Sequence, residues 1–124
     1  MRYLISIFAL ITLTACSVQT KAPIHHLVFV WLKDSGNETQ RQEIIDVSKS
    51  FREIPGVKSL EVGPVISSER KIVDDSFDLG ILITFDNVAE MNAYIEHPDH
   101  KEAVKNKLKP LVKKIVVYDF EAQN

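Results

Sequence analysis

The segment "HHLVFVWLK", residues 25–33, carries the strongest indication of the architecture of this chain. It is rich in β-branched and aromatic side chains, which predicts a strand. Successive side chains of a strand point to opposite faces of its sheet. One face carries Leu27, Phe29 and Trp31, and the other carries His26, Val28, Val30 and Leu32. Both faces are largely apolar, whereas a strand with one exposed face alternates apolar with polar residues, so we expect both faces to be covered.

The remaining chain supplies the elements around this strand. Strands are predicted over 25–33, 57–66, 77–85 and 113–121. A first helix is capped by Asn37 and Gln40 and ends at Pro55-Gly56. A second helix runs from Asn87 to His97, and a third runs over about 100–109 with Asp99 and Glu102 as its cap. This β-α-β-β-α-β order is the ferredoxin-like pattern of an α+β sandwich. No predicted helix remains for the second face of the first strand. A second copy of the sheet is therefore expected there, with Val30 in the seam, which predicts a homodimer.

The N-terminal segment, residues 1–15, is predicted to be a signal peptide. Its apolar run "LISIFALITL", residues 4–13, is shorter than the roughly 20 residues that span a membrane. "LTAC", residues 13–16, resembles the bacterial lipobox, in which the chain is cut before the cysteine and the thiol receives lipid. An ordinary cleaved signal peptide and an uncleaved anchor are the alternatives.

Cys16 is the only cysteine, so an intramolecular disulfide is excluded. Residues 16–23 then form a lipidated tether, and residues 24–121 form one domain. An aspartate directly after the cysteine would resemble an inner-membrane retention signal, but this position holds Ser17. The expected location is therefore the bacterial cell envelope, anchored to the outer membrane and facing the periplasm. A formal net charge of −2 argues against nucleic acid as a partner.

Four segments of the chain resemble the stress-responsive dimeric α/β-barrel family, called Dabb. They are "HHLVFVWLK", "IPGVKSLEVG" at 54–63, "FDLGILITFDNVAEMNAYIEHPDH" at 77–100 and "VVYDF" at 116–120. The string Y-x-x-HP-x-H is the most specific of these features. The resemblance covers residues 25 to about 121, and it implies two four-stranded sheets packed face to face in a dimeric α/β barrel. It implies much less about activity, because most members have no established reaction.

The family includes plant polyketide cyclases, and this likeness implies three candidate catalytic residues. His100 matches the histidine that serves as general base, Tyr94 matches its oxyanion partner, and His26 matches a histidine that lines the same pocket. The chemistry suits these residue types, because histidine titrates near neutral pH and a tyrosine can stabilise an enolate oxygen.

The same string permits a purely structural interpretation. His97 and Pro98 would end one helix, Asp99 would cap the next, and His100 would only fill its first turn. His97 is also a candidate ligand-binding residue, because it lies three positions from Tyr94 on one side of a helix. A metal site is a third interpretation. His25 and His26 point to opposite sheet faces, so they cannot share a metal ion, whereas His97 and His100 could share one, although Pro98 breaks the helix between them. Neither a metal nor a cofactor is predicted.

These observations predict an exported, lipid-anchored homodimer. Its expected function is a small-ligand-binding or structural stress-response module, with a small apolar or aromatic molecule as the ligand. The alternative is an enzyme of the cyclase or lyase type, in which a histidine base works with a tyrosine partner.

Overall fold

Four strands form one antiparallel sheet in the computed structural model, which describes residues 22–123. The strands are β1 (Ile24–Leu32), β2 (Ser59–Pro64), β3 (Leu79–Phe85) and β4 (Val112–Glu121). Their order across the sheet is β2-β3-β1-β4, so β1 and β3 are central and β2 and β4 are edges. This is a ferredoxin-like sheet, and the predicted α+β fold class is confirmed. The predictions on the signal peptide, the lipobox and Cys16 lie outside the described residues.

Three helices cover one face of this sheet. They are α1 (Glu38–Ser50), which ends in a 3₁₀ turn over Phe51–Glu53, α2 (Val88–Glu96) and α3 (Pro98–Ala103). The side chain of Asn37 accepts a hydrogen bond from the Gln40 amide at 3.0 Å, and Asn87 accepts one from the Glu90 amide at 2.9 Å. Both predicted caps are confirmed. Between residues 22 and 123, no helix has the length and apolar character that crossing a bilayer requires.

The start of α3 differs from the prediction. The helix begins at Pro98 rather than near His100, and its cap is His97 rather than Asp99. The Nδ1 atom of His97 accepts a hydrogen bond from the Asp99 amide at 3.3 Å. Proline suits the first helical position because it has no N–H that would be left unpaired there. The proline that ends α2 therefore also starts α3.

A π-helical turn continues α3 over Val104–Leu108. It is closed by a hydrogen bond from the Lys109 amide to the Val104 carbonyl, five residues earlier, at 2.9 Å. Such wide turns occur frequently at functional sites. Here the turn faces the sheet, and Leu108 is buried.

The main core lies between the helices and one face of the sheet. Its fully buried side chains include Val30, Leu32, Ile44, Leu79, Ile83 and Phe85. Val30 has no exposed surface in the single chain, because it faces the helices. Its predicted place in a seam between two sheets is therefore wrong. Val30 lies on the face of β1 that the helices of the same chain cover.

The opposite face of the sheet carries the other set of β1 side chains, namely His25, Leu27, Phe29 and Trp31. We call this the open face, because none of the described helices covers it. Tyr118 and Phe120 of β4 lie on it and are 60% and 52% exposed. The ring of Phe77 packs at its rim, 4.9 Å from the ring of Phe29.

A buried carboxylate joins the start of β3 to the turn after β1. Asp78 is 3% exposed and accepts hydrogen bonds from the amides of Leu32 at 2.8 Å and Gly36 at 2.7 Å, and from the Ser35 hydroxyl at 3.1 Å. Gly36 has a φ of +81°, a conformation that residues with a Cβ rarely adopt. This cluster fixes the turn that leads from β1 into α1.

Candidate active site

A cavity of about 320 Å³ lies between the helix-covered face of the sheet and the helices α2 and α3. Thirteen residues line it, namely His26, Val28, Phe51, Ile81, Ile83, Tyr94, Ile95, His100, Val104, Leu108, Ile115, Val117 and Asp119. Most of this lining is aliphatic or aromatic. The few polar groups include the three residues that the family resemblance implied.

His26 comes from the centre of the sheet. It is buried, and the β1–β4 register places it directly opposite Asp119. Its Nδ1 atom lies 2.6 Å from Oδ1 of Asp119. An ionised carboxylate can only accept, so Nδ1–H of His26 is the donor. In the neutral ring, Nε2 is then the nitrogen that carries the free lone pair.

Tyr94 comes from the last turn of α2 and is only 2% exposed. Its ring centre lies 6.2 Å from that of His26 and 4.6 Å from that of His100. Burial raises the pKa of Tyr94 well above its ordinary value, because the phenolate would be poorly solvated there. The phenol therefore stays protonated and remains a hydrogen-bond donor beside both histidines.

His100 lies in the first turn of α3. Its Nδ1 atom is 3.1 Å from the carbonyl oxygen of Ile95, which can only accept, so Nδ1 carries the proton and Nε2 is the basic nitrogen. Burial lowers the pKa of His100, and the hydrogen bond to Ile95 offsets part of this effect. The ring is therefore predominantly neutral at pH 7 and available as a base.

The other two histidines do not reach the cavity. His97 caps α3, and its Nδ1 atom lies 3.8 Å from a carboxylate oxygen of Asp99. His25 lies on the open face, with Nδ1 3.2 Å from the Thr84 hydroxyl and its ring 5.0 Å from that of Phe120. The structure thus brings His26, Tyr94 and His100 together and leaves His97 outside. Among residues 22–123, no three His, Cys, Asp or Glu side chains are placed to share a metal ion.

Asp119 is the polar residue of this cavity that sequence reasoning missed. It interrupts the apolar run of "IVVYDF" at 115–120, and this interruption was the available signal. Its meaning depends on the register between β1 and β4, which puts His26 opposite it. Register across a long connection is not readable from the two strands alone.

The chain belongs to the Dabb family. The family model described as "Stress responsive A/B Barrel Domain" matches residues 24–122. No similarity to a curated protein was found.

Several solved structures share the fold. A Dabb family protein with a ferredoxin-like fold from Mesorhizobium loti is 25% identical, with 83% of this chain and 99% of that chain covered and a TM-score of 0.68. The hydroxynitrile lyase from Passiflora edulis is 24% identical, with 83% and 95% covered and a TM-score of 0.72. A dimeric ferredoxin-like protein of unknown function from Thermobifida fusca is 20% identical, with 82% and 92% covered and a TM-score of 0.65. At these identities, the last two similarities show the fold alone.

Proposed function

We propose that the chain is a proton-transfer enzyme of the lyase or isomerase type that acts on a small carbonyl compound in this cavity. The observation that carries the proposal is the arrangement of two histidines and one tyrosine around a single apolar cavity. Each histidine has its Nδ1–H committed to an acceptor, Asp119 for His26 and the Ile95 carbonyl for His100. Each therefore keeps a basic Nε2, and the Tyr94 hydroxyl supplies the complementary donor.

His100 is the general base in this proposal. Its Nε2 takes a proton from the carbon next to the carbonyl, and the electron pair of the broken C–H bond moves onto the carbonyl oxygen. The Tyr94 hydroxyl donates a hydrogen bond to that developing oxyanion. His26 is the second group with a free ring nitrogen at the site, because its Nδ1–H is committed to Asp119, 2.6 Å away, and its Nε2 is left to accept from the substrate.

Lyase chemistry is compatible with this fold, since the Passiflora edulis protein is a hydroxynitrile lyase. Fold similarity at this level does not transfer an activity, so the proposal depends on the cavity itself. A binding module without chemistry is the second candidate, and the predominance of apolar lining favours it.

Deuterium exchange separates these two functions. The purified domain is incubated with a neutral methyl ketone in D₂O, and loss of the α-proton signal is followed by NMR. A positioned general base contributes roughly 10²–10⁴-fold, so His100→Ala should lose most of the enzyme-dependent rate. Tyr94→Phe should lose a large part of it, because the phenyl ring fills the same space without the donor.

His97→Ala is the matched control, because it removes a histidine from the same string but from outside the cavity. It should leave the exchange rate unchanged and cost only stability. Exchange by wild type no faster than by His100→Ala would reject catalysis. If the ketone still protects the wild type against thermal unfolding, the binding module would then be supported.

We also propose that the chain forms a homodimer through its open face. Phe29, Tyr118 and Phe120 form an apolar surface there, and the similar Thermobifida fusca structure is dimeric. Phe29→Glu places a charge on this surface and should give a monomer in sedimentation at micromolar concentration. Val88→Glu, at an exposed position of α2, is the control. A wild-type domain that sediments as a monomer at tens of micromolar would contradict the dimer.

Export and lipid anchoring remain a separate proposal, which rests on "LTAC" and the single cysteine. The intact mass of membrane-extracted protein should correspond to a chain that begins at a lipidated Cys16. Cys16→Ser should abolish the lipid and release the protein from the membrane fraction. A wild-type mature protein that begins at another residue would reject the lipobox.

A further inference from the structure

The floor of the cavity changes from polar to apolar along the strands. One row across the sheet contains Ile83, His26 and Asp119. The next row toward the other end contains Ile81, Val28 and Val117, and the row after it contributes Ile115. Rows on one face are two residues apart, about 7 Å. The floor therefore offers hydrogen-bonding groups at one end and only hydrocarbon beyond it.

The roof of the cavity follows the same direction. His100, Val104 and Leu108 line it at intervals of four residues. The α-helical rise of 1.5 Å per residue puts Val104 about 6 Å beyond His100 along the axis, and the π-helical turn continues the roof to Leu108. Leu108 is followed within four residues by Val112, which pairs with Leu32 beyond the apolar end of the floor. His100 lies at the other end, beside Tyr94. Floor and roof thus have their polar groups at the same end.

The charges around this cavity disfavour an anionic ligand. None of its thirteen lining residues is a lysine or an arginine. The carboxylate of Asp119 lies 2.6 Å from Nδ1 of His26. His26 is therefore already paired with an anion and offers no unshared positive charge to a ligand. His100 is predominantly neutral at pH 7, because burial lowers its pKa. A carboxylate or phosphate entering the cavity would lose its hydration without gaining an unshared cation.

We propose that the substrate is an uncharged, elongated molecule. Its carbonyl lies between His26, Tyr94 and His100, and its apolar chain extends over Val28 and Val117 toward Leu108. This assignment rests on the proposed function and adds the charge, the shape and the orientation of the substrate. It also identifies Val117 as a specificity-determining residue, since this side chain lies on the floor where the apolar chain passes.

The test compares two series of ligands by titration calorimetry at pH 7.5, the unbranched methyl ketones from 2-butanone to 2-nonanone and the carboxylates of equal chain length. Ketone affinity should rise by about three- to fourfold for each added methylene until the cavity is filled. Each carboxylate should bind at least tenfold more weakly than the ketone of its length.

Val117→Phe tests the orientation. Because Val117 is 45% exposed, a larger side chain at this position should not prevent folding. The variant should lose the gain from the longest ketones and keep the affinity of the shortest. Val88→Phe, an equal change on α2 outside the cavity, should leave the whole series unchanged. Circular dichroism confirms that both variants are folded before they are titrated.

Three results would overturn the assignment. A carboxylate that binds as tightly as its matched ketone would contradict the preference for an uncharged substrate. Affinity that does not depend on chain length would contradict binding of the apolar chain in the cavity. A series that Val117→Phe leaves unchanged would contradict the proposed orientation. The deuterium-exchange assay keeps these failures apart from failure of the proposed function, because exchange that needs His100 would stand even if the ligand preferences were wrong.

Discussion

Removal of the Asp78 carboxylate should be among the most destabilising single substitutions in the domain. Asp78→Ala leaves the amides of Leu32 and Gly36 without their acceptor, and the Leu32 bond is buried. A buried donor left unpaired costs about 1–3 kcal/mol, and hydrogen bonds to a charged group lie at the upper end of the range. We therefore expect a loss of about 3–4 kcal/mol, a large part of the 5–15 kcal/mol that stabilises a typical domain.

Urea unfolding followed by circular dichroism measures this loss directly. Asp46→Ala is the matched control, because Asp46 is exposed on α1 and bonded only to the side chain of Gln42. Its cost should stay within about 0.5 kcal/mol. A loss below about 1 kcal/mol for Asp78→Ala would refute the view that this carboxylate fixes the turn between β1 and α1.

The pH dependence provides a second check on Asp78. Burial opposes its ionisation, but the hydrogen bonds from Leu32, Gly36 and Ser35 outweigh burial and hold the pKa of Asp78 below its ordinary value. The stabilisation is therefore fully present above the pKa of the unfolded chain, near about 3.9, and is lost as the pH falls through the lower folded-state value. Asp78→Ala should flatten the stability curve in this acidic range relative to the wild type.

Two further predictions concern the cavity and the turn at Gly56. The rate of deuterium exchange should rise with pH through a midpoint below 6.5, the ordinary pKa of histidine. The reason is that the base is the neutral ring of His100, whose pKa is lowered by burial. A midpoint above 6.5 would contradict this role. Gly56→Ala should lower the free energy of unfolding in urea by more than about 1 kcal/mol, because Gly56 has a φ of +91° and a Cβ there would lie 3.1 Å from Cβ of Glu90. Gly63→Ala is the control, since a Cβ at that position meets nothing within 4 Å. Equal costs for the two variants would refute the reasoning.

The sequence predicted those parts of the fold that depend on local patterns. The caps at Asn37 and Asn87 and the order of strands follow from residues close together in the chain. The role of Asp78 does not, because its donors lie 42 and 46 positions away. The predicted place of Val30 was wrong for a related reason. Two apolar faces predict that both will be covered, but they do not indicate which one the helices of the same chain cover.

The string "HPDH" at 97–100 shows how local and tertiary signals combine in one turn. The structural interpretation and the catalytic interpretation were alternatives in the sequence. The structure assigns the cap to His97, whereas the proposed catalysis depends on His100. His97 caps α3 and Pro98 sets its direction, while the chain reversal turns His100 back so that it bonds the Ile95 carbonyl of the preceding helix. The reversal thus brings the ring of His100 against Tyr94, 4.6 Å away. His97→Ala removes the cap but leaves Pro98 and the hydrogen bond between His100 and the Ile95 carbonyl in place, so its cost should fall on the stability of α3 and not on the exchange rate.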